Sequence, residues 1–162
     1  MNNLHRLTII SGGQTGVDRG ALDAALATGN PCGGWCPEGR LAEDGVIPAK
    51  YPLIELPGRD YRQRTLCNVL ASDGTLIFYF NYPEGGTEET LRFCIEWEKP
   101  YLLIDGVEVS VARSVQRIQK FIVDFAISKL NVAGPRASSA KQAYSFSNNC
   151  MLRLLNEIEN KS

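Results

Sequence analysis

The chain has 162 residues, 44% of them hydrophobic and 22% charged, a balance that fits one globular domain with its own core. Its formal net charge is −1, so it lacks the basic excess that binds a nucleic-acid backbone, and no nucleic-acid partner is predicted. No run approaches the length of an apolar membrane span, so no membrane partner is predicted. An odd number of cysteines, five, and the lack of an apolar leader predict a cytoplasmic protein without a disulfide scaffold.

Short apolar runs alternate with helical patterns along the chain. The sequence predicts strands over 7–10, 75–80, 101–104 and 130–133, and helices over 17–28, 61–71, 87–98, 109–129 and 145–160. Two brief strands are predicted over 33–36 and 53–56, inside a long segment whose length favours a functional role. The alternation predicts an α/β fold: a three-layer, Rossmann-like open parallel sheet with helices on both faces, in one ligand-binding domain over 1–162.

Three loops built from glycine and small hydroxyl residues each lead towards a predicted helix. They are 11–16 (Ser-Gly-Gly-Gln-Thr-Gly), 83–87 (Pro-Glu-Gly-Gly-Thr) and 134–139 (Gly-Pro-Arg-Ala-Ser-Ser). Glycine lets the backbone approach a ligand, and a helix N-terminus offers unpaired N–H groups to an anion. Because each loop follows a strand, a parallel sheet brings the three loops to one edge. The sequence therefore predicts a cleft that holds a small phosphorylated ligand, such as a nucleotide-like molecule.

The first of these loops carries the largest set of candidate ligand contacts. It matches neither the dinucleotide fingerprint nor a Walker A loop. Backbone N–H groups and side-chain donors able to contact phosphate are offered by Ser11, Gly12, Gly13, Gln14, Thr15 and Gly16. Asp18 and Arg19 follow in the first helical turn. Asp18 has three open interpretations: a helix cap, an acceptor for a ribose hydroxyl, or a cation ligand.

The second and third loops each have a structural and a functional interpretation. Gly85 and Gly86 let the backbone meet a phosphate, with Thr87 as a hydroxyl donor, but Thr87 is equally a good helix N-cap. In the third loop Arg136 is either an anion clamp, because its planar fork can grip two phosphate oxygens, or a surface arginine in a turn.

Two cysteines and a tryptophan stand together in the long segment after the first helix. Cys32 and Cys36 have a plausible metal spacing, but no second pair follows and His5 is the only histidine, so no metal site is predicted. The two thiols are either buried small side chains or contacts for a soft ligand. Trp35 either stacks on a heterocycle or packs.

Four motifs, taken in order, resemble the molybdenum cofactor carrier family. They are Ser-Gly-Gly-Gln-Thr-Gly-Val-Asp-Arg at 11–19, Gly-Trp-Cys-Pro-Glu-Gly-Arg at 34–40 with Ala-Glu-Asp-Gly at 42–45, Gly-Gly-Thr at 85–87, and Asn-Val-Ala-Gly-Pro-Arg at 131–136. The family belongs to a superfamily with the lysine-decarboxylase-like phosphoribohydrolases and DNA-processing protein A. The resemblance implies a Rossmann-like sheet, a homo-oligomer and a nucleotide-derived or pterin-phosphate ligand, with molybdenum cofactor (molybdopterin) as a candidate.

By motif position, that ligand is held by residues of all the motifs. The resemblance assigns Gly12, Gly13, Thr15, Gly16, Asp18, Gly85, Gly86, Thr87 and Arg136 to binding, and Trp35 and Arg40 of the 34–40 motif complete the candidate set with Ser11, Gln14 and Arg19. The segment from Trp35 to Gly45 is expected to form a wall over the ligand.

One departure from the superfamily pattern separates binding from catalysis. In the phosphoribohydrolases the second loop reads Pro-Gly-Gly-x-Gly-Thr-x-x-Glu and its last residue is catalytic, whereas this chain has Thr90 three residues after Thr87. The leading hypothesis is therefore a carrier or sensor without a catalytic residue. The rival is hydrolysis of a nucleotide or nucleotide-sugar glycosidic bond, with Asp18, Glu88 or Glu89 as acid or base.

Overall fold

The computed structural model describes residues 6–58 and 60–161, so His5 lies outside the described residues. The helices in these ranges are α1 (Val17–Thr28), α2 (Tyr61–Leu70), α3 (Gly85–Glu96), α4 (Val111–Asp124) and α5 (Ala143–Asn160). The strands are β1 (Thr8–Ile10), β2 (Cys32–Gly33), β3 (Trp35–Pro37), β4 (Leu41–Ala42), β5 (Gly45–Val46), β6 (Ile54–Leu56), β7 (Gly74–Tyr79), β8 (Tyr101–Asp105) and β9 (Lys129–Ala133). None of the helices described has the length and apolar character needed to cross a membrane.

A parallel five-stranded sheet in the order β2-β1-β9-β7-β8 forms the centre of the protein. Helices cover both of its faces, which confirms the predicted Rossmann-like, three-layer α/β fold. The three adjacent central strands β1, β9 and β7 are the ones that lead into the glycine-rich loops. The carboxyl ends of these strands meet at one edge, so the loops come together there as predicted.

The longest strand, β7, shows why the sheet is buried on both faces. Leu76 and Phe78 pack into one core with α1, α4 and α5, whereas Ile77 packs on the opposite face with Phe93 of α3 and Val69 of α2. Successive side chains of a strand point to opposite faces, so a strand that is covered on both sides has to be continuously apolar. The run of apolar residues over 76–80 meets that demand.

The predicted helix over 109–129 is wrong at both ends. The helix begins after Ser110, whose hydroxyl accepts the backbone N–H of Arg113 at 3.2 Å, as expected of an N-cap. It ends at Asp124 because Ala126 adopts a left-handed conformation, with φ of 50°, before β9 begins. The other helix boundaries differ from the predicted ones by at most two residues. Asp60 caps α2, since its carboxylate accepts the N–H of Arg62 at 2.8 Å.

The long segment between α1 and α2 is structured throughout its middle. β3 pairs in parallel with β6, and β4 pairs with β5 to form the 41–46 hairpin. The segment closes over a small core of its own, formed by Leu22, Cys36, Ile47, Tyr51 and Leu53. It is a small layer beside the main sheet rather than an open loop.

The contact between α1 and α5 requires glycine at position 20. A Cβ there would lie 2.7 Å from the carbonyl oxygen of Tyr144 and 3.0 Å from the backbone nitrogen of Asn148. Gly20→Ala is therefore expected to lower the free energy of unfolding by about 1–3 kcal/mol, because overpacking outweighs the better helix propensity of alanine. Urea unfolding measures this change. Gly86→Ala, at a helical glycine with no atom within 4 Å of the added Cβ, is the matched control. An unchanged midpoint for Gly20→Ala would contradict the account.

Candidate functional site

A cleft of about 660 Å³ opens at the carboxyl edge of the sheet, between the three glycine-rich loops, α2 and the 41–46 hairpin. Half of the predicted site residues line it: Gly12, Gln14, Asp18, Gly85, Gly86, Thr87 and Arg136. The structure thus brings all three loops to one cleft. The other predicted residues do not line it: Ser11, Gly13, Thr15, Gly16, Arg19, Trp35 and Arg40.

Helix α2 supplies a wall of the cleft that the sequence analysis missed. Its lining residues are Tyr61, Arg62, Arg64, Thr65 and Asn68. The sequence contained one signal. Arg62 and Arg64 stand among the first four residues of the helix, where the helix dipole disfavours positive charge. Arginines placed against the dipole need another reason, and an anionic ligand is one.

The guanidinium of Arg64 lies over Gly12, and not all of its N–H donors have an acceptor. Its side chain is only 14% exposed, its Nη1 is 3.8 Å from Oδ2 of Asp18, and its Nε has no hydrogen-bond partner in the described part of the chain. A Cβ on residue 12 would lie 1.6 Å from Nη1, so the missing side chain of Gly12 makes room for the guanidinium. A buried donor without an acceptor costs about 1–3 kcal/mol, and more when charged, so an anion in the cleft would complete this site.

Asp18 is the carboxylate partner of Arg64 and an organiser of the first loop. Its Oδ2 accepts the backbone N–H of Gln14 at 3.1 Å, and its side chain is 9% exposed. Burial raises the pKa of Asp18 from 3.8 to about 6, and the positive charge of Arg64 only partly opposes that effect. The helix-cap interpretation is wrong, because the N-cap of α1 is Gly16. Within the chain, Asp18 instead orders the first loop and faces Arg64.

The second loop differs from the sequence-based interpretation because α3 begins at Gly85. Thr87 is therefore inside the first turn and is not the N-cap. Gly85 and Gly86 hold the first two helical positions, whose N–H groups have no acceptor within the helix. Gly85 needs its left-handed φ of 53°, but a Cβ on Gly86 would meet nothing within 4 Å. Neither backbone conformation nor packing explains Gly86, whereas an approaching ligand would.

Two glycines of the first loop serve packing instead. Gly16 has φ of 81°, and a Cβ there would lie 2.5 Å from the carbonyl oxygen of Pro135 in the third loop. Gly13 has φ of 79°, and its Cβ would lie 2.4 Å from Leu53. These residues hold the first loop against its neighbours, which is why they lie outside the cleft.

The 41–46 hairpin is fastened across the first loop by two carboxylates. The carboxylate of Asp44 accepts a hydrogen bond from Nη2 of Arg19 at 2.8 Å. Nε of Arg19 donates to the backbone carbonyl of Gly13 at 3.1 Å. Glu43 accepts hydrogen bonds from Thr15 and from Ser138 of the third loop. Ala42 and Glu43 line the cleft, so this part of the predicted wall faces the candidate site.

Arg40 and Trp35 have structural partners within the protein. The Arg40 guanidinium donates at 2.8–3.3 Å to the backbone carbonyls of Ile47, Pro48, Tyr51 and Leu53. The backbone of Trp35 exchanges two hydrogen bonds with the Asn68 amide, at 2.7 and 3.0 Å. Ser11 is fully buried and its Oγ has no hydrogen-bond partner among the described residues. These three residues support the walls of the cleft without lining it.

The acidic residues named for catalysis separate into two groups. Glu88 lies outside the cleft and pairs with Arg92 at 3.0 Å on the surface of α3. Glu89 lines the cleft and its Oε1 is 3.0 Å from Nε of Arg62. Thr90, at the position of the phosphoribohydrolase glutamate, donates its hydroxyl to the carbonyl of Gly86 at 2.9 Å. Among the residues described, no group of three or more His, Cys, Asp or Glu side chains is placed to hold a metal ion.

A second cavity, of about 210 Å³, adjoins the cleft. The two share Glu84, Thr87, Pro135 and Ser139 as lining residues. Its other lining residues include three aromatic side chains, Tyr79, Phe80 and Tyr82, and Tyr82 is 66% exposed.

Because the pKa of Asp18 is raised, the free energy of unfolding should depend on pH. The folded chain holds this proton more tightly than the unfolded chain, so the stabilisation is complete below pH 3.8 and is lost as pH rises through about 6. Asp18→Asn keeps an acceptor oxygen but cannot ionise. Its free energy of unfolding, relative to that of the unaltered chain, should rise by about 2–3 kcal/mol between about pH 4 and pH 7, since each pKa unit corresponds to about 1.4 kcal/mol. Urea unfolding at several pH values measures the difference, and a difference that does not vary with pH would contradict the shift.

Comparison with known proteins gives two matches. The model of the circularly permutated YpsA SLOG family matches residues 9–155. A crystal structure from Syntrophus aciditrophicus SB, described as a putative molybdenum carrier protein, is similar to this chain with a TM-score of 0.89 and 43% identity, over 93% of this chain and 94% of that one. No curated protein matches the chain.

Proposed function

Because the chain belongs to the circularly permutated YpsA SLOG family, we propose that it binds a phosphorylated nucleotide-derived or pterin ligand and acts as a carrier or sensor of molybdenum cofactor. The observation that carries the proposal is the buried guanidinium of Arg64, whose Nε has no acceptor within the described residues. The name of the similar crystal structure supports a molybdenum-related ligand.

The phosphate end of the ligand fits between α2 and the start of α3. Arg64 offers a charged donor from one side, and the first N–H groups of α3, at Gly85 and Gly86, offer neutral donors from the other. The absence of a side chain at Gly86 leaves the space that a phosphate oxygen needs. A molybdenum cofactor held in this way would supply the ligands of the metal from its own pterin part, so the protein has to hold only the organic molecule.

The heterocycle of the ligand fits the smaller cavity. Since Thr87 and Pro135 line both spaces, one molecule can occupy the two together. Tyr82 is an exposed aromatic side chain at its wall, and flat heterocycles stack on such rings. Assembly into a homo-oligomer, which the family resemblance implies, stays a prediction.

Arg64 provides the direct test. A thermal-shift screen with AMP, ADP-ribose, NAD and isolated molybdenum cofactor should raise the melting temperature of the unaltered protein with at least one of them, because a ligand that binds only the native state stabilises it. Arg64→Gln should lower the affinity for that ligand by about 10- to 100-fold, the loss expected when charge-assisted hydrogen bonds are removed.

Arg92→Gln is the matched control, because Arg92 lies outside the cleft lining and pairs with Glu88 on the surface. It should leave the affinity unchanged. Failure of every phosphorylated ligand to stabilise the unaltered protein would contradict the proposal, and so would equal losses in the two variants.

Gly86→Ala separates ligand binding from folding. The added methyl group meets no atom within 4 Å beyond its chain neighbours and the backbone of its own helix, so the unliganded variant should be as stable as the unaltered chain, or more stable by up to about 1 kcal/mol. The same methyl group takes the space proposed for phosphate, so affinity should fall by about tenfold or more. Calorimetric titration of the ligand found in the screen measures the loss. Full affinity in the variant would place the phosphate elsewhere.

One observation favours the hydrolase as a second candidate function. Asp18 has a pKa raised to about 6 by burial and lies in the cleft with Glu89, and a general acid or base works best with a pKa near the working pH. Chromatography of a nucleotide panel after incubation with the protein would detect a released base. Release that is abolished in both Asp18→Asn and Glu89→Gln supports hydrolysis, and no release supports the carrier.

A further inference from the structure

The carboxylate of Glu43 accepts hydrogen bonds from two other parts of the chain. Oε1 accepts the hydroxyl of Thr15 and, at 3.2 Å, the backbone N–H of Ser138, while Oε2 accepts the hydroxyl of Ser138 at 2.5 Å. Nε of Arg136 lies 4.0 Å from Oε2. The carboxylate thus joins the 41–46 hairpin to the first and third loops.

These donors have the composition of an oxyanion site. Two hydroxyls and one backbone N–H donate to the two oxygens, and the guanidinium of Arg136 lies at ion-pair distance from one of them. Donors of this kind, presented at a glycine-rich loop, also recognise phosphate oxygens. The side chain of Glu43 is 19% exposed although the residue as a whole is exposed, so its carboxylate lies in a shallow recess of the surface. The hydrogen bonds from Ser138 and Thr15 lower the pKa of Glu43, which keeps the carboxylate charged.

The hairpin that carries Glu43 has a short strand pairing, and Asp44 also fastens it to Arg19. β4 and β5 pair over only two positions, Leu41 with Val46 and Ala42 with Gly45. Leu41 and Val46 are 46% and 68% exposed, so the hairpin buries little apolar surface. Displacing its carboxylate would disturb no part of the main core.

The recess opens to the same cleft as Arg64. Glu43, Arg136 and Gln14 line that cleft, whereas Thr15 and Ser138, which the Glu43 carboxylate contacts, are not among its lining residues. The side-chain amide oxygen of Gln14, Oε1, accepts the backbone N–H of Glu43 at 3.0 Å, which links the hairpin to the loop that Arg64 covers. A ligand with one anionic group at Arg64 can therefore present a second anionic group to these donors.

We propose that Thr15, Arg136 and Ser138 form a second oxyanion subsite, which Glu43 fills in the unliganded chain and which a second anionic group of the ligand takes over. This inference rests on the proposed function and narrows the ligand to one with two linked anionic groups, such as a diphosphate. Glu43 then acts as an internal competitor, and the subsite is available only in the fraction of molecules in which the carboxylate has moved aside.

The test compares pyrophosphate, which carries two anionic groups, with inorganic phosphate, which carries one. Neither probe has a heterocycle, so only the number of anionic groups differs. Removal of the competitor makes every molecule competent, so Glu43→Gln should bind pyrophosphate about tenfold more tightly and Glu43→Ala more tightly still, while phosphate affinity changes by less than about threefold. Calorimetric titration gives the dissociation constants, and thermal melts show that each variant is folded. Glu88→Gln changes the charge equally at an exposed carboxylate outside the cleft lining and should have no effect.

Other outcomes overturn the inference. Unchanged or weaker pyrophosphate binding in both Glu43 variants would mean that Glu43 only braces the loops, and the proposed function would stand if binding still depends on Arg64. An equal gain for the two probes, or a similar gain in Glu88→Gln, would remove the case for a second subsite. If neither probe binds the unaltered protein or the Glu43 variants, the second subsite fails, and the ligand screen with Arg64→Gln decides the proposed function separately.

Discussion

Burial of a positive charge is the constraint around which the cleft is built. Arg64 is removed from most of the solvent, and a charge in such a place needs a partner. Asp18 supplies the negative charge opposite the guanidinium, and the missing side chain of Gly12 leaves room for it. The first loop and α2 therefore have to pack in one arrangement. Asn68, one turn further along α2, fastens the same helix to the backbone of Trp35. The pair remains short of acceptors, and that shortage is the physical reason for an anionic ligand.

The three loops divide the work of forming the cleft. The first and third are locked together, because the backbone at Gly16 touches the carbonyl of Pro135 and the carboxylate of Glu43 bridges the two. The second loop makes no such close contact at Gly85 or Gly86. One side of the cleft is therefore a packed wall, and the opposite side is an open helix N-terminus. Ligand contacts are expected at the open side and at the donors that Glu43 now covers.

The parts of this molecule that depend on neighbours in sequence were predictable. Continuous apolar runs and helical periodicity locate the sheet, and a parallel sheet has to bring the loops to one edge. Contacts between distant segments were not predictable: Arg40 looked like a ligand contact of its motif, yet it binds backbone carbonyls across the 41–46 hairpin. The role of a glycine is equally hard to predict from sequence. Gly16 makes room for the neighbouring third loop, whereas no neighbouring part of the protein requires a glycine at position 86. Arg64 stands in no glycine motif, and only its place against the helix dipole marked it.

An oxyanion is expected to bind at Arg64, between α2 and the start of α3. A crystal soaked with tungstate, a tetrahedral oxyanion with strong anomalous scattering, would show such binding. We expect an anomalous peak in the cleft, with oxygens within hydrogen-bond distance, about 2.7–3.2 Å, of Nε of Arg64 and the N–H of Gly86. A cleft without a peak, or a peak that leaves Nε of Arg64 without an acceptor, would contradict it.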